Sequence, residues 1–489
     1  MPVSPSDNEL ARTSAVDIAR MVRSKAISAT EVAEAALRRM EALEPHIHAF
    51  CVPTPEVARD AAAAVDAKIA RGEDPGPLAG VPIGIKDLVA TKGILTAMGS
   101  RLYADFVPDE DDIVVERLKD AGAVILGKTN VPEFGYSGVG HNPLGITTRS
   151  PWNLALTPGG SSAGSGASVA CGVSPFAIGS DGGGSIRIPS AHSGLYGIKA
   201  SMGRVPLYPG CRDERYPGVS SWETLEHIGP MSRTVADSAL MLSVIASGPD
   251  MRDRYSLPKP DFDWLEVAKP RDLKGLRVAY SADWGYAPVD PEVRRVVGEA
   301  VKVFEKDLGC IVEEAHPGWE DPGPYFWTLV ACDSDLSGMR AMIKGRESEV
   351  SPHLVALVNK EWTGTEFTDA KRVRQMVVNK MWRFMQRYDL LLTPTLAVPP
   401  FPLYMQGPEM IEGRFVSTGQ WLAFTFPMNL TGQPAASIPA GFTRDKLPVG
   451  LQIIGRHLDD PMVLAASAAF EAAHPWKDVW PPLVTELGL

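Results

Sequence analysis

The residues most able to do chemistry lie between Gly159 and Ser185, in the stretch GGSSAGSGASVACGVSPFAIGSDGGGS. Nine of its 27 residues are glycine, seven are serine, and Asp181 alone is charged. Such a composition also describes a flexible linker. Val169-Ala170-Cys171 and Phe176-Ala177-Ile178 interrupt it, however, with core-forming residues that a linker does not need. Glycine between buried elements lets backbone approach a ligand closely. Two serine-bearing turns stand in the stretch, Gly159-Gly160-Ser161-Ser162 and Asp181-Gly182-Gly183-Gly184-Ser185. Three successive glycines can turn their N–H groups into one concavity, a nest that binds negative charge. An acyl-transfer intermediate places its oxyanion at such a site. The chemistry suggested is attack of Ser185 on a carbonyl.

A serine nucleophile needs a base. The nine histidines (His46, His48, His141, His192, His227, His316, His353, His457 and His474) sit in no recognisable triad setting and read as ordinary surface or core residues. A lysine drawn into apolar surroundings loses its proton more easily and can serve instead. Lys86 closes an otherwise uncharged run, Val81-Pro82-Ile83-Gly84-Ile85, and is the candidate. Capping that strand and pairing with Asp87 is an equally open role for it. Gly160-Ser161-Ser162-Ala163-Gly164 also fits the G-x-S-x-G elbow, with Ser162 as nucleophile. That elbow must follow a buried strand, and Pro151 and Pro158 just before it oppose one.

The elements that would position these groups follow from periodicity. Residues 11–45 repeat their apolar positions at near 3.6, with a helix start expected at Thr30 ahead of Glu31 and Glu34. The Ala-rich run Val57 to Ile69 adds another helix, and Ile113 to Ala121 and Val235 to Ala246 two more. Between them come short apolar runs at Gly80 to Lys86, Ala123 to Gly127, Phe176 to Gly179, Leu276 to Tyr280, Leu390 to Leu392, Ala436 to Pro439 and Gly450 to Ile454. Buried strands alternating with helices predict an α/β sheet covered on both faces. Loops are extensive from Leu207 to Gly218 and Val398 to Gly413. The Pro- and charge-rich segment Leu257 to Asp272 offers a possible seam, though one continuous domain is favoured.

Composition narrows the function classes. The chain has 489 residues, 45% hydrophobic and 22% charged, which is ordinary globular usage. A formal net charge of -11 argues against a nucleic-acid partner, because phosphate neutralisation needs excess positive charge. No run reaches the length of a membrane span, and Met1-Pro2-Val3-Ser4 does not begin a signal peptide. Cys51, Cys171, Cys211, Cys310 and Cys332 are odd in number and widely spaced, so they predict reduced thiols, a cytoplasmic protein and no structural zinc.

The motifs resemble those of the amidase signature family of serine amidohydrolases. The resemblance rests on GVPIGIKDL (residues 80–88), LGKTNVPEF (126–134), the Gly159 to Ser190 block, GLYGIK (194–199), GPMSRTVAD (229–237), and NLTGQPAASIPAG with LPVGLQIIG (429–455). It covers nearly the whole chain. It implies a single large domain, 1–489, with a central twisted mixed sheet flanked by helices on both faces. Residues 1–75 would be N-terminal helices, 76–245 the signature core, and 246–489 the part that completes the sheet and pocket. It also implies a Ser–Ser–Lys triad: Ser185 as nucleophile, Ser161 as the bridging serine beside a cis peptide bond, and Lys86 as base. The backbone N–H groups of Gly182, Gly183, Gly184 and Ser185 would form the oxyanion hole, with Asp181 and Arg187 as structural support. No metal or organic cofactor is implied. Ala163 and Gly182 depart from the family's usual glycine and threonine, and a glycine at 182 is expected to loosen the oxyanion loop.

The function so implied is hydrolysis of a small-molecule carboxylic amide through an acyl-enzyme, by a monomer or homodimer, as in stand-alone bacterial amidases and aryl acylamidases. The alternative within the family is the amidase subunit of a tRNA-dependent amidotransferase. Urethane or ester hydrolysis, and a non-catalytic ligand-binding relative, are further alternatives. Specificity is expected in the loops Phe134 to His141, Tyr325 to Cys332 and Val398 to Trp421. Their aromatic content favours an apolar acyl or aryl group, with Tyr136 and Trp327 as the expected pocket residues.

Overall fold

Each apolar run becomes a strand. The strands are β1 (Phe50–Pro53), β2 (Pro82–Lys86), β3 (Val124–Thr129), β4 (Phe176–Ser180), β5 (Tyr196–Lys199), β6 (Ile228–Ser232), β7 (Arg277–Tyr280), β8 (Ile311–Glu314), β9 (Leu390–Pro394), β10 (Met410–Ile411), β11 (Arg414–Phe415), β12 (Ala435–Phe442) and β13 (Pro448–Gly455). The computed structural model describes residues 5–219 and 222–489. Residues 1–4 and the Cys211 side chain, both read above from sequence, lie outside the described residues.

Eleven of these strands form one mixed sheet in the order β1-β3-β2-β4-β6-β5-β12-β13-β9-β7-β8, and β10 and β11 form a separate hairpin. Strands β2 to β6, β9 and β13 are buried at every position. That explains why they read as continuous apolar runs rather than as alternation. Edge strand β8 is mostly exposed, with the pattern Ile311-Val312-Glu313-Glu314, so no apolar run marked it.

The regions that the 3.6 period marked are helical, as Ala15–Arg23, Ala29–Ile47, Pro55–Ala70, Ile113–Asp120 and Val235–Ile245, with one correction at a cap, while the helices Pro291–Lys306, Gly364–Phe384 and Asp460–Ala473 went unread. The second long helix, Ala29–Ile47, starts from Ser28, not Thr30. The Ser28 hydroxyl accepts the Glu31 N–H (3.1 Å), and the Glu31 carboxylate accepts the Ser28 N–H (2.9 Å), a reciprocal capping box. Thr30 instead donates its hydroxyl to Asp66 Oδ2 (2.7 Å). The suspected seam contains the short helix Trp264–Val267, which packs on the helix Val235–Ile245 and buries Trp264 in the common core.

Two neighbourhoods in the sheet matter for the site. Strands β2 and β4 are parallel neighbours, so their C-terminal residues, Lys86 and Ser180, emerge at the same edge. The carboxyl ends of parallel strands are where α/β sheets bind ligands. Strands β5 and β12 are antiparallel, with Lys199 opposite Ala435, and this pairing joins the N-terminal and C-terminal parts into one sheet.

Candidate active site

Lys86 is the last residue of β2 and is fully buried. Its Nζ lies 2.7 Å from Ser161 Oγ, 2.8 Å from Ser180 Oγ and 3.2 Å from the Ser180 carbonyl. As an ammonium Lys86 can donate to all three, and as a neutral amine it can donate twice to Ser180 and present its lone pair to the Ser161 hydroxyl. Burial drives the Lys86 amine well below its ordinary value, and the Glu226 and Asp181 carboxylates draw it part of the way back. Pairing with Asp87 does not occur. Asp87 follows the strand end on the opposite side, accepts the Gly99 N–H (3.4 Å) and faces Lys128.

Ser161 precedes the helix Ala163–Ala170, and the Gly160–Ser161 peptide bond is cis. Ser185 sits between the glycine turn and the helix Arg187–Ser193. Ser161 and Ser185 line one cavity, together with Ser180, Gly182 and Gly183. Ser162 does not join them. Its hydroxyl accepts the Ser180 N–H (3.2 Å) and donates to the Ser180 carbonyl (3.3 Å), and no strand leads into it, so the elbow geometry is absent.

The glycine turn is held from behind by a buried ion pair. Both side chains are fully buried, and Arg187 donates from Nε to Asp181 Oδ2 (2.9 Å) and from Nη2 to Oδ1 (2.8 Å). Its remaining donors reach the Thr425 carbonyl (2.8 Å), Gln452 Oε1 (2.7 Å) and Asn429 Oδ1 (2.7 Å), so all five are satisfied. Burial pushes the Asp181 carboxyl up, but the Arg187 charge and hydrogen bond, Lys199 and Asn429 outweigh it and hold it well below the usual carboxylate range. Arg187→Met leaves that carboxylate buried and unpaired. It is expected to destabilise the fold by ~3–5 kcal/mol, read as a lower urea midpoint. Arg187→Lys is expected to recover little of the loss, because an ammonium cannot supply the planar fork. An unchanged midpoint would show that the pair does not hold the turn.

One expected oxyanion donor is corrected. The Gly184 N–H donates to Asp181 Oδ1 (2.7 Å), so it serves the turn and not the cavity. Gly184 has a φ of +129°, and a Cβ there would stand 2.4 Å from Thr425 Oγ1. The N–H groups of Gly182, Gly183 and Ser185 make no hydrogen bond among the described residues. At Gly182 the place of a side chain is filled by Glu226 and Trp222.

The cavity has an empty volume of about 790 Å³, part of it open to solvent. Its wall is largely apolar and includes Leu207, Trp222, Phe326, Trp327 and Leu422. Trp327 lies where the sequence placed it, but on the helix Gly323–Asp333 and not on a loop. Tyr136 does not line the cavity. Its neighbours Gly135 and Ser137 do, while its own ring turns away, packs edge-on against Trp222 at 4.9 Å and places its hydroxyl 3.2 Å from Ser334 Oγ. Among the described residues no histidine lines the cavity. His192 is buried against Trp421, with Nε2 3.2 Å from the Val398 carbonyl.

Three groups escaped the sequence reading. Ser180 stood unremarked beside Asp181, though its place at the end of a strand parallel to β2 put it next to Lys86. Trp222 and Glu226 lie between the glycine turn and β6 with no motif to mark them. Among the described residues no three His, Cys, Asp or Glu side chains gather as a metal site, and no helix is long and apolar enough to cross a membrane.

A profile of the family described as Amidase matches residues 31–464. The chain is 40% identical to an acylamidase of Rhodococcus erythropolis, over 96% of this chain and 97% of that protein. It is 38% identical to a glutamyl-tRNA(Gln) amidotransferase subunit of Carboxydothermus hydrogenoformans, over 95% and 97%. Among solved structures, a bacterial aryl acylamidase of the amidase signature family superposes with a TM-score of 0.89 at 32% identity, over 98% of this chain and 99% of that one.

Proposed function

The chain belongs to the amidase family and hydrolyses amide C–N bonds, and on that premise we propose that Ser185 is its nucleophile, Ser161 the proton relay and Lys86 the base. The observation that carries this reading is the buried Lys86 amine, 2.7 Å from Ser161 Oγ in the cavity that also exposes Ser185.

The steps follow from proton balance. The Lys86 lone pair takes the Ser161 proton as Ser161 Oγ takes the one on Ser185. Ser185 Oγ then bonds to the amide carbon, and the carbonyl oxygen becomes an anion facing the N–H groups of Gly182, Gly183 and Ser185. Collapse breaks the C–N bond, and Ser161 passes a proton to the leaving nitrogen, re-protonated in turn by Lys86. Water enters, gives a proton to the same relay and attacks the acyl carbon. The C–O bond to Ser185 breaks and its oxygen recovers a proton.

The substrate proposed is a small carboxylic amide with an aryl or other apolar group, acted on in the cytoplasm by a monomer or homodimer. Trp222, Phe326 and Trp327 supply flat apolar surface for such a group, with Trp222 within about 6 Å of both other rings. The glutaminase reading needs a cation for the α-carboxylate of glutamine, and no arginine is among the described residues that line the cavity. A charge left unpaired in an apolar site costs about 3 kcal/mol or more. The kcat/KM for a simple anilide is therefore expected to exceed that for glutamine by at least ~10²-fold. A hydrolysis panel of anilides, aliphatic amides, carbamates, esters and glutamine measures this. A higher kcat/KM for glutamine, raised further by a partner subunit, would replace this reading with the amidotransferase one.

A further inference from the structure

We infer that Glu226 is a positioning residue for the Ser185 reaction: its carboxyl stands in the cavity wall beside the Ser180 hydroxyl that holds Lys86, and governs how readily that amine accepts a proton. The inference rests on Lys86 being the base.

Glu226 is a wall residue of the cavity beside Ser161, Ser180 and Gly182. It comes so close to the glycine turn that a Cβ on Gly182 would stand 2.6 Å from Glu226 Oε2 and 2.8 Å from Trp222 Cε3. A side chain at 182 and this carboxyl therefore compete for one space, and glycine yields it to the carboxyl. The Ser180 hydroxyl accepts from Lys86 Nζ (2.8 Å), and the Glu226 carboxyl lines the cavity beside that serine. A hydroxyl can accept one such bond and donate another. Amine, hydroxyl and carboxyl thus share one corner of the cavity, with Ser161 on the other side of the amine.

The other charged groups facing Glu226 are committed elsewhere. Asp181, after β4, is bound by Arg187 and Asn429. Arg212, from the short helix Gly210–Arg212, pairs with Asp253 (3.2 Å) and donates to the Glu223 carbonyl. His227, next in sequence, has Nδ1 2.8 Å from the Leu225 carbonyl, with Lys199 3.3 Å from its other nitrogen. Lys86 is left as the cation that answers Glu226. Burial raises the Glu226 carboxyl above its usual range and Lys86 lowers it again, while the Glu226 charge raises Lys86 in return. With the carboxylate ionised, Lys86 keeps its proton to higher pH and is withheld from Ser161.

Glu226→Gln removes that charge at nearly constant shape. Lys86 is then deprotonated at lower pH, so the acid limb of the kcat/KM profile should move down by roughly one pH unit, with the alkaline plateau kept. The same shift is expected in the pH dependence of Ser185 phosphonylation by a fluorophosphonate, which needs no substrate turnover. Glu226→Asp keeps the charge but draws it back by one methylene, and should shift the limb the same way by less. If the glutamine variant does not fold, as read from its thermal transition, the aspartate variant carries the test. A limb that stays in place, moves upward, or keeps its position under a uniform loss of rate overturns the inference. If Lys86→Met is inactive and the Glu226→Gln limb does not move, the inference about Glu226 fails alone. If Lys86→Met stays active, the base assignment fails and takes this inference with it.

Discussion

Ser185→Ala is expected to lose ~10⁴-fold or more in amide hydrolysis and to fold as the parent does. The Ser185 hydroxyl makes no hydrogen bond among the described residues and lines the cavity, so its removal leaves no buried partner unsatisfied. The ion pair behind the turn, Asp181 with Arg187, is untouched. A fluorophosphonate should modify the parent on Ser185 and leave the alanine variant unmodified, as read by peptide mass spectrometry. An adduct on Ser162 would contradict the assignment, because that hydroxyl is enclosed between the N–H and carbonyl of Ser180.

Lys86→Met is the second large effect. A positioned base contributes ~10²- to 10⁴-fold, and here the whole relay starts from the one amine, so the upper end is expected. Stability moves the other way. Burial sets the folded Lys86 value below the unfolded one. Between the two the unfolded chain binds more protons, so stability rises with pH through that interval, and the cost is fully present below the folded value. Methionine removes the titration, and Glu226 can take up a proton once its cation is gone. At neutral pH the variant should therefore be as stable as the parent, or more stable by up to roughly 3 kcal/mol. Urea unfolding at several pH values checks both the sign and the lost slope. Retention of more than about a hundredth of the activity would defeat the base assignment.

The groups proposed to react were legible in the sequence because their chemistry is local. The glycine turn that ends in Ser185 is a contiguous backbone feature, and Lys86 stood out as the one charge of its own apolar strand. The substrate wall was harder to read because it is assembled across the fold. Trp222 meets Phe326 and Trp327 only through tertiary packing. Tyr136 was misplaced for a related reason: aromatic content marks a segment, not the direction of one ring within it. Glu226 was invisible for a third reason. A single acidic residue in a loop reads as solvated surface, and only the empty place at Gly182 shows that the carboxyl has turned inward. Strand β8 was missed because an edge strand facing water carries no apolar run.

The pairing of β5 with β12 has a consequence for the order in which the protein matures. A chain synthesised as far as Ser232 already contains Lys86, Ser161, Ser185, Asp181 and Arg187. It lacks Thr425, Asn429 and Gln452, which take up the remaining donors of Arg187. It also lacks the strand that adjoins β5. Contacts so distant along the chain close late in folding. The proposed nucleophile is thus made early, but the contacts that brace its turn are completed only by the last-made quarter of the polypeptide, so a growing chain on the ribosome carries Ser185 in an unfinished setting until synthesis is nearly complete.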